Sequence, residues 1–246
     1  MRPCSRNRYK NAIVALLVLL SAPLAGASVD LHKIERISKT GSTLEADIAK
    51  EFPLGEQRVC GDTGINVLID LSHQANFFTM WSLPRMLRAR GFRAVGSQAA
   101  LDTVLVPGGF SRVRVPAGDR RPFAWWPNPR YNVVIAFQAD PRAQRYLPEE
   151  VEALDAFVRT GGGLVLLGSF VRDDTRRNEW PLNKLAGKFG AAFTAEMDVL
   201  DGATMSVVRT SPEWETLRTG EGGRPVVAAR PYGKGRVLIV GSVRYF

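Results

Sequence analysis

The chain has 246 residues, 45% hydrophobic and 23% charged, with a formal net charge of +9. That balance excludes a wholly disordered, collagen-like or coiled-coil protein. Two cysteines and two histidines exclude a Cys/His-rich zinc module and a disulfide scaffold.

The N-terminus reads as an export signal. Arg2, Arg6, Arg8 and Lys10 form a basic start, Ala12 to Leu20 is an unbroken apolar run, Pro23 breaks it, and Ala25-Gly26-Ala27 is a small-residue cleavage site. The run is nine residues long, against the about 20 that a bilayer-spanning helix needs. A lipoprotein signal would place a cysteine where Ser28 stands. Residues 1–27 are therefore expected to be removed, giving a periplasmic or secreted protein with no membrane span after cleavage. Loss of four basic residues and no acid lowers the charge from +9 to +5 and leaves Cys60 as a lone thiol. In an oxidising compartment such a thiol is buried, or else reactive or intermolecular, and its small apolar character favours burial.

Residues 28–64 form a polar lead-in with one expected short helix, Leu44 to Phe52. From Ile65 the pattern changes. Ile65 to Leu71 is a β-rich apolar run suited to a buried strand. Ser82 to Arg90 follows as a helix, with Ser82 as its expected N-cap, Pro84 in the first turn and Gly91 after the end. Phe92 to Val95, and then Thr103 to Val106, read as short strands. Pro107 to Arg130 departs in composition, with five prolines, five arginines and four aromatics against one acid, Asp119. It reads as a long loop.

Asn132 to Phe137 is the next core strand. Pro148 opens a helix whose first turn is acidic and whose buried stripe is Val151, Leu154, Phe157 and Val158. Gly161-Gly162-Gly163 stops it, and Leu164 to Gly168 follows as a strand without polar alternation. Strands of this kind are buried on both faces, which predicts a parallel sheet covered by helices. Trp180 to Phe189 reads as a further helix. Val226 to Arg230 and Arg236 to Gly241 flank a Gly-rich turn and predict a C-terminal hairpin. No covering helix follows, as expected of a truncated or minimal domain.

The strings VVIAFQ, LPEEVEALDAFVRTGGGLVLLGS and INVLIDLSHQANFF, together with WSLPRMLRARGF and GKGRVLIVGS, resemble the class I glutamine-amidotransferase-like superfamily. The closest likeness is to its non-amidotransferase branches, the ThuA-like, GldG/IFT52-like and DUF4350-type domains. The resemblance covers roughly residues 65–242 and implies a flavodoxin-like three-layer sandwich with a mainly parallel central sheet. Amidotransferases of that superfamily carry a cysteine nucleophile in a Gly-x-Cys-x-Gly elbow and a later His-x-Glu. Here the elbow reads Gly168-Ser169-Phe170, and no histidine follows His73, so glutaminase chemistry is not expected.

Three groups of residues carry candidate chemistry. Asp70, Ser72, His73 and Asn76 end the first core strand, where open α/β sheets bind ligands. His73 there suits a general base. The same residues equally suit loop hydrogen bonds and helix capping. Asp70 and His73 alone do not make a metal site, and no cofactor is indicated. Ser169 occupies an elbow position without the Gly-x-Ser-x-Gly spacing, and His73 with Asp70 could approach it. Arg112, Arg114, Trp125 and Trp126 suit sugar rings or anionic groups, or else a loop packed on its own core. Gly161-Gly162-Gly163 is no nucleotide loop, because a strand follows it. A charge of +5 with no basic helix, on an exported chain, argues against nucleic acid. Two functions follow as expectations. One is an envelope module that binds a glycan or a protein partner. The other is a hydrolase of glycans or esters using His73 with Asp70 or Ser169.

Overall fold

The structure, a computed structural model, describes residues 63–74, 79, 82–106, 110–114, 123–127, 130–138, 143–168 and 179–243, with backbone alone for 110–114 and 123–127. The expected signal peptide, the Leu44 to Phe52 helix, Cys60, Asn76 and Ser169 lie outside the described residues.

Five strands form a parallel core: β1 (Asn66–Asp70), β2 (Arg93–Ser97), β5 (Val133–Phe137), β6 (Gly163–Leu167) and β11 (Gly235–Val240). Antiparallel strands extend both sides. β3 (Phe110–Arg114) and β4 (Phe123–Pro127) join at β2, and β10 (Pro225–Tyr232) and β9 (Glu215–Thr219) join at β11. The nine-stranded order is β4-β3-β2-β1-β5-β6-β11-β10-β9. The chain leaves β1 toward β2 and later returns to β1's other side as β5, so β1 and β5 flank a topological switch point.

Side chains of the central strands alternate between two cores, one on each face of the sheet. Val67, Ile69, Val133, Ile135, Val165 and Leu167 share one core with Leu83, Met86 and Leu87 of α1 (Leu83–Ala89). Leu68, Val134, Leu164 and Leu166 share the other with α2 (Leu101–Val104), α3 (Pro148–Arg159) and α4 (Pro181–Lys188). α3 forms as its sequence dictates: Pro148 begins it without needing a partner for its missing N–H, Glu149 and Glu150 face the positive end, and Leu154 and Val158 are fully buried.

A separate antiparallel pair, β7 (Ala191–Leu200) and β8 (Ala203–Thr210), straddles the carboxyl edge of the sheet at β11. Leu200 and Met205 enter the first core, whereas Ala191, Phe193 and Val208 enter the second. The register shifts between Phe193 and Met197, where the pair passes from one face to the other. At the crossing, Ser206 N–H donates to Gly241 O at 3.1 Å. A Cβ on Gly241 would overlap the Ser206 carbonyl oxygen, so only glycine allows this approach.

Several expectations are corrected. Residues 101–104 are helical rather than a strand beginning at Thr103. The segment expected as a loop at 107–130 holds β3 and β4, because its Phe, Val and Trp residues find a sheet edge to pair with. Ser82 precedes α1 in helical geometry and makes no side-chain cap. Strands β7, β8 and β9 had no counterpart in the sequence reading.

Candidate functional site

The site is built at the carboxyl end of β1. Asp70 is the last residue of the strand, and its Oδ1 accepts the Ser72 N–H at 2.9 Å and the Ser72 hydroxyl at 2.6 Å. This aspartate-led turn reverses the chain. It brings His73 Nδ1 to 2.7 Å from Asp70 Oδ2, with the Ser72 hydroxyl 3.0 Å from the same nitrogen. The opposite nitrogen, Nε2, lies 3.0 Å from Glu150 Oε2.

Glu150 is the third residue of α3 and does three things at once. Its Oε2 accepts the Leu147 N–H at 2.9 Å, its Oε1 accepts the Leu101 N–H at 3.0 Å, and it meets His73. One carboxylate thus satisfies the first amides of two helices, which have no partner inside their own helices. Tyr146 lies flat on the imidazole, with ring centroids 3.7 Å apart, and its hydroxyl donates to Asp70 Oδ2 at 3.3 Å. Gln144 N–H closes the arrangement on His73 O at 3.1 Å. Asp70, His73 and Glu150 are 1%, 6% and 3% exposed.

Burial opposes the charged imidazole. The hydrogen bond and charge of Asp70, followed by those of Glu150, outweigh it and hold the His73 pKa above its ordinary value. Burial, reinforced by Asp70 and Glu150, pushes the Tyr146 hydroxyl well up, so it stays a donor. A ring with a carboxylate oxygen at each nitrogen donates at both. When protonated at both nitrogens the imidazole has no lone pair for a general base to use, and its two carboxylate contacts link β1 to α3.

Of the residues singled out in the sequence, the structure brings Asp70, Ser72 and His73 together. Gly168, which precedes Ser169, is buried beneath Phe193: a Cβ added there would sit 2.7 Å from the Phe193 ring. Asn183 of α4 fixes Phe193 by accepting its N–H at 2.7 Å and donating to its carbonyl at 2.9 Å. The arginines and tryptophans lie on the β3–β4 hairpin. Arg112 pairs with Trp125, Arg114 with Phe123 and Ser111 with Trp126. Through Gly96, Arg114 is in backbone register with Ile69 of β1. β3 pairs with the last residue of β2 at Val113, which places Arg112 beyond the carboxyl end of β2.

Glu150 and Tyr146 are the members that sequence reasoning missed. Glu150 was legible as an acid at the third helical position, where side chains reach back to the helix start, but Leu147 stands where a Ser or Thr cap would have drawn attention. Nothing in the sequence marks Tyr146. Among the described residues there is no group of three or more metal-ligating side chains, and no helix is long and apolar enough to cross a membrane.

No family model matches the chain, and no curated protein matches it. Solved structures are similar in shape at low identity. The N-terminal domain of mmIFT52 aligns at 13% identity over 74% of this chain and 87% of that one, with a TM-score of 0.46. The cytoplasmic protein STM3548 of Salmonella typhimurium aligns at 13% over 72% of this chain and 87% of that one, with a TM-score of 0.39. The exo-β-1,4-mannosidase Op5Man5 of Opitutaceae bacterium strain TAV5 aligns at 14% over 81% of this chain, with a TM-score of 0.38, and the alignment covers 33% of that enzyme.

Proposed function

We propose that the protein is an exported, non-catalytic domain of amidotransferase-like descent that binds a glycan or a protein partner in the cell envelope. The observation that carries this reading is the state of the carboxyl edge. His73, the last histidine in the chain, has both ring nitrogens on buried carboxylates, and Gly168 at the elbow lies under Phe193. The histidine that a hydrolase would use as its base, and the glycine that precedes Ser169, carry structural contacts. The flavodoxin-like assignment draws support from the parallel strands, which run β2-β1-β5-β6-β11. Numbered among themselves in chain order they read 2-1-3-4-5, the flavodoxin-like order. The residues proposed to bind are Arg112, Arg114, Trp125 and Trp126 of the β3–β4 hairpin, together with Ser72 and Asn76. Export rests on the basic start, the short apolar run and the cleavage site before Ser28.

The hydrolase reading draws its support from the 2.7 Å Asp70–His73 bond, which orients an imidazole as a base requires. The two readings separate in one experiment. The protein recovered from its host is sequenced at the N-terminus, tested for retention on immobilised envelope polysaccharide, and assayed against aryl esters and aryl glycosides. The expected result is a chain beginning at Ser28 that is retained without turnover. Hydrolysis that disappears in Ser169→Ala or His73→Ala overturns the proposal.

A further inference from the structure

We propose that Asp70, His73 and Glu150 form a proton-operated latch, closed while His73 carries both ring protons and open at its Glu150 side when one is lost. The inference does not depend on the function proposed above; it rests on the way the imidazole is enclosed. Among the described residues, the groups facing the ring are Asp70 from β1, the Ser72 hydroxyl from the turn, the Tyr146 ring from the segment before α3, and Glu150 from α3. The ring is 6% exposed, so water does not replace a lost partner.

A neutral imidazole has one N–H and one lone pair. The Asp70 bond is the shorter, 2.7 Å against 3.0 Å, and the same nitrogen is flanked by Ser72, so the remaining proton stays on Nδ1. Nε2 then presents a lone pair to Glu150 Oε2, and two acceptors face one another in a buried site. Glu150 keeps its other donors, the amides of Leu101 and Leu147, so the starts of α2 and α3 hold. What lets go is the turn at 71–74 and the segment at 143–146 that covers it through Tyr146 and Gln144. These segments border the β1–β5 switch point, so the latch controls access to that part of the carboxyl edge. The raised His73 pKa agrees in direction with a latch that opens as the pH rises.

The test uses the full chain with His32→Asn, so that His73 is the single imidazole. Ring NMR follows its protonation from about pH 5.5 to about pH 9, and amide hydrogen exchange is followed over the same range. His73 is expected to titrate above the ordinary histidine value. Protection at 71–74 and 143–146 should fall about tenfold per pH unit above that midpoint, beyond the base catalysis seen at amides elsewhere. The Leu101 and Leu147 amides should keep their protection. Glu150→Gln removes one of the two stabilising charges and should move the midpoint down while its amide oxygen still accepts one helix amide. Titration at or below the ordinary value overturns the latch. So does exchange at 71–74 that ignores the midpoint. If Glu150→Gln does not fold, the wild-type titration and exchange profile decide alone.

Discussion

Among the described residues, the carboxyl edge of the sheet is covered in two unlike ways. At β1 and β5 the closure is electrostatic: an imidazole between two carboxylates, stacked on a tyrosine. At β6 and β11 it is steric: a β-hairpin laid so tightly on the edge that Gly241 has no room for a side chain. The first closure depends on proton occupancy and has a chemical handle. The second depends on volume and has none. The described part of a sheet edge that usually accepts ligands is therefore held by contacts that respond to different perturbations, and each can be broken while the other is left in place.

The largest effect is expected at the electrostatic side. Glu150→Ala strips a partner from His73, Leu101 and Leu147 at once and leaves one buried imidazole nitrogen and two helix amides without an acceptor. The cost should be about 3–5 kcal/mol in denaturant unfolding. A loss as small as that of an ordinary surface substitution would show that water reaches the cluster freely. Gly241→Ala acts at the steric side. It forces β8 off the edge and should cost about 1–3 kcal/mol, by the same amount at every pH at which the protein is folded.

A smaller effect separates the two closures by pH. The folded-state pKa of His73 is raised above the about 6.5 of an unfolded histidine, so its contribution is complete below that value and lost as pH rises through the folded one. Thermal melts should show this loss in the wild type and in Gly241→Ala, and a flatter alkaline limb in His73→Asn. Parallel limbs in wild type and His73→Asn would sink the distinction. The smallest effect belongs to Tyr146→Phe, which keeps the ring on His73 and removes only the long bond to Asp70. It should cost about 0.5–1.5 kcal/mol, and a larger loss would mean that the hydroxyl carries more of the closure than its 3.3 Å distance suggests.

The two closures also differ in how legible they were. Asp70, Ser72 and His73 fall within four residues at the end of an apolar strand, and short-range chemistry of that kind can be read from a sequence. The same holds for β1, β5 and β6, whose side chains are buried on both faces and therefore form unbroken apolar runs. Glu150 stands 77 residues from His73, and nothing local announces that contact. β7 and β8 were missed because each faces two different cores in turn, so Ala191 to Leu200 shows no clean alternation across its bulge. Thr103 and Val104 read as strand because β-branched residues favour it. Their place in α2 is set by packing against α3 rather than by propensity. The β3–β4 hairpin was masked by its prolines and arginines, which suit an edge as well as a loop.

The position of β11 has a consequence for how the chain reaches this state. Among the described strands it is the last in sequence, yet it lies inside the sheet between β6 and β10. β6 (Gly163–Leu167) is completed early and then waits, with one apolar edge unpaired, until Gly235–Val240 arrives from far along the chain. Closing so large a loop is slow, and an open apolar strand edge is a template for pairing with other molecules. The β7–β8 hairpin can settle on Gly241 only after that closure. The folding of this protein is therefore exposed to self-association in the interval between making β6 and making β11, and dilution or a bound holdase should raise its yield more than any single stabilising substitution elsewhere.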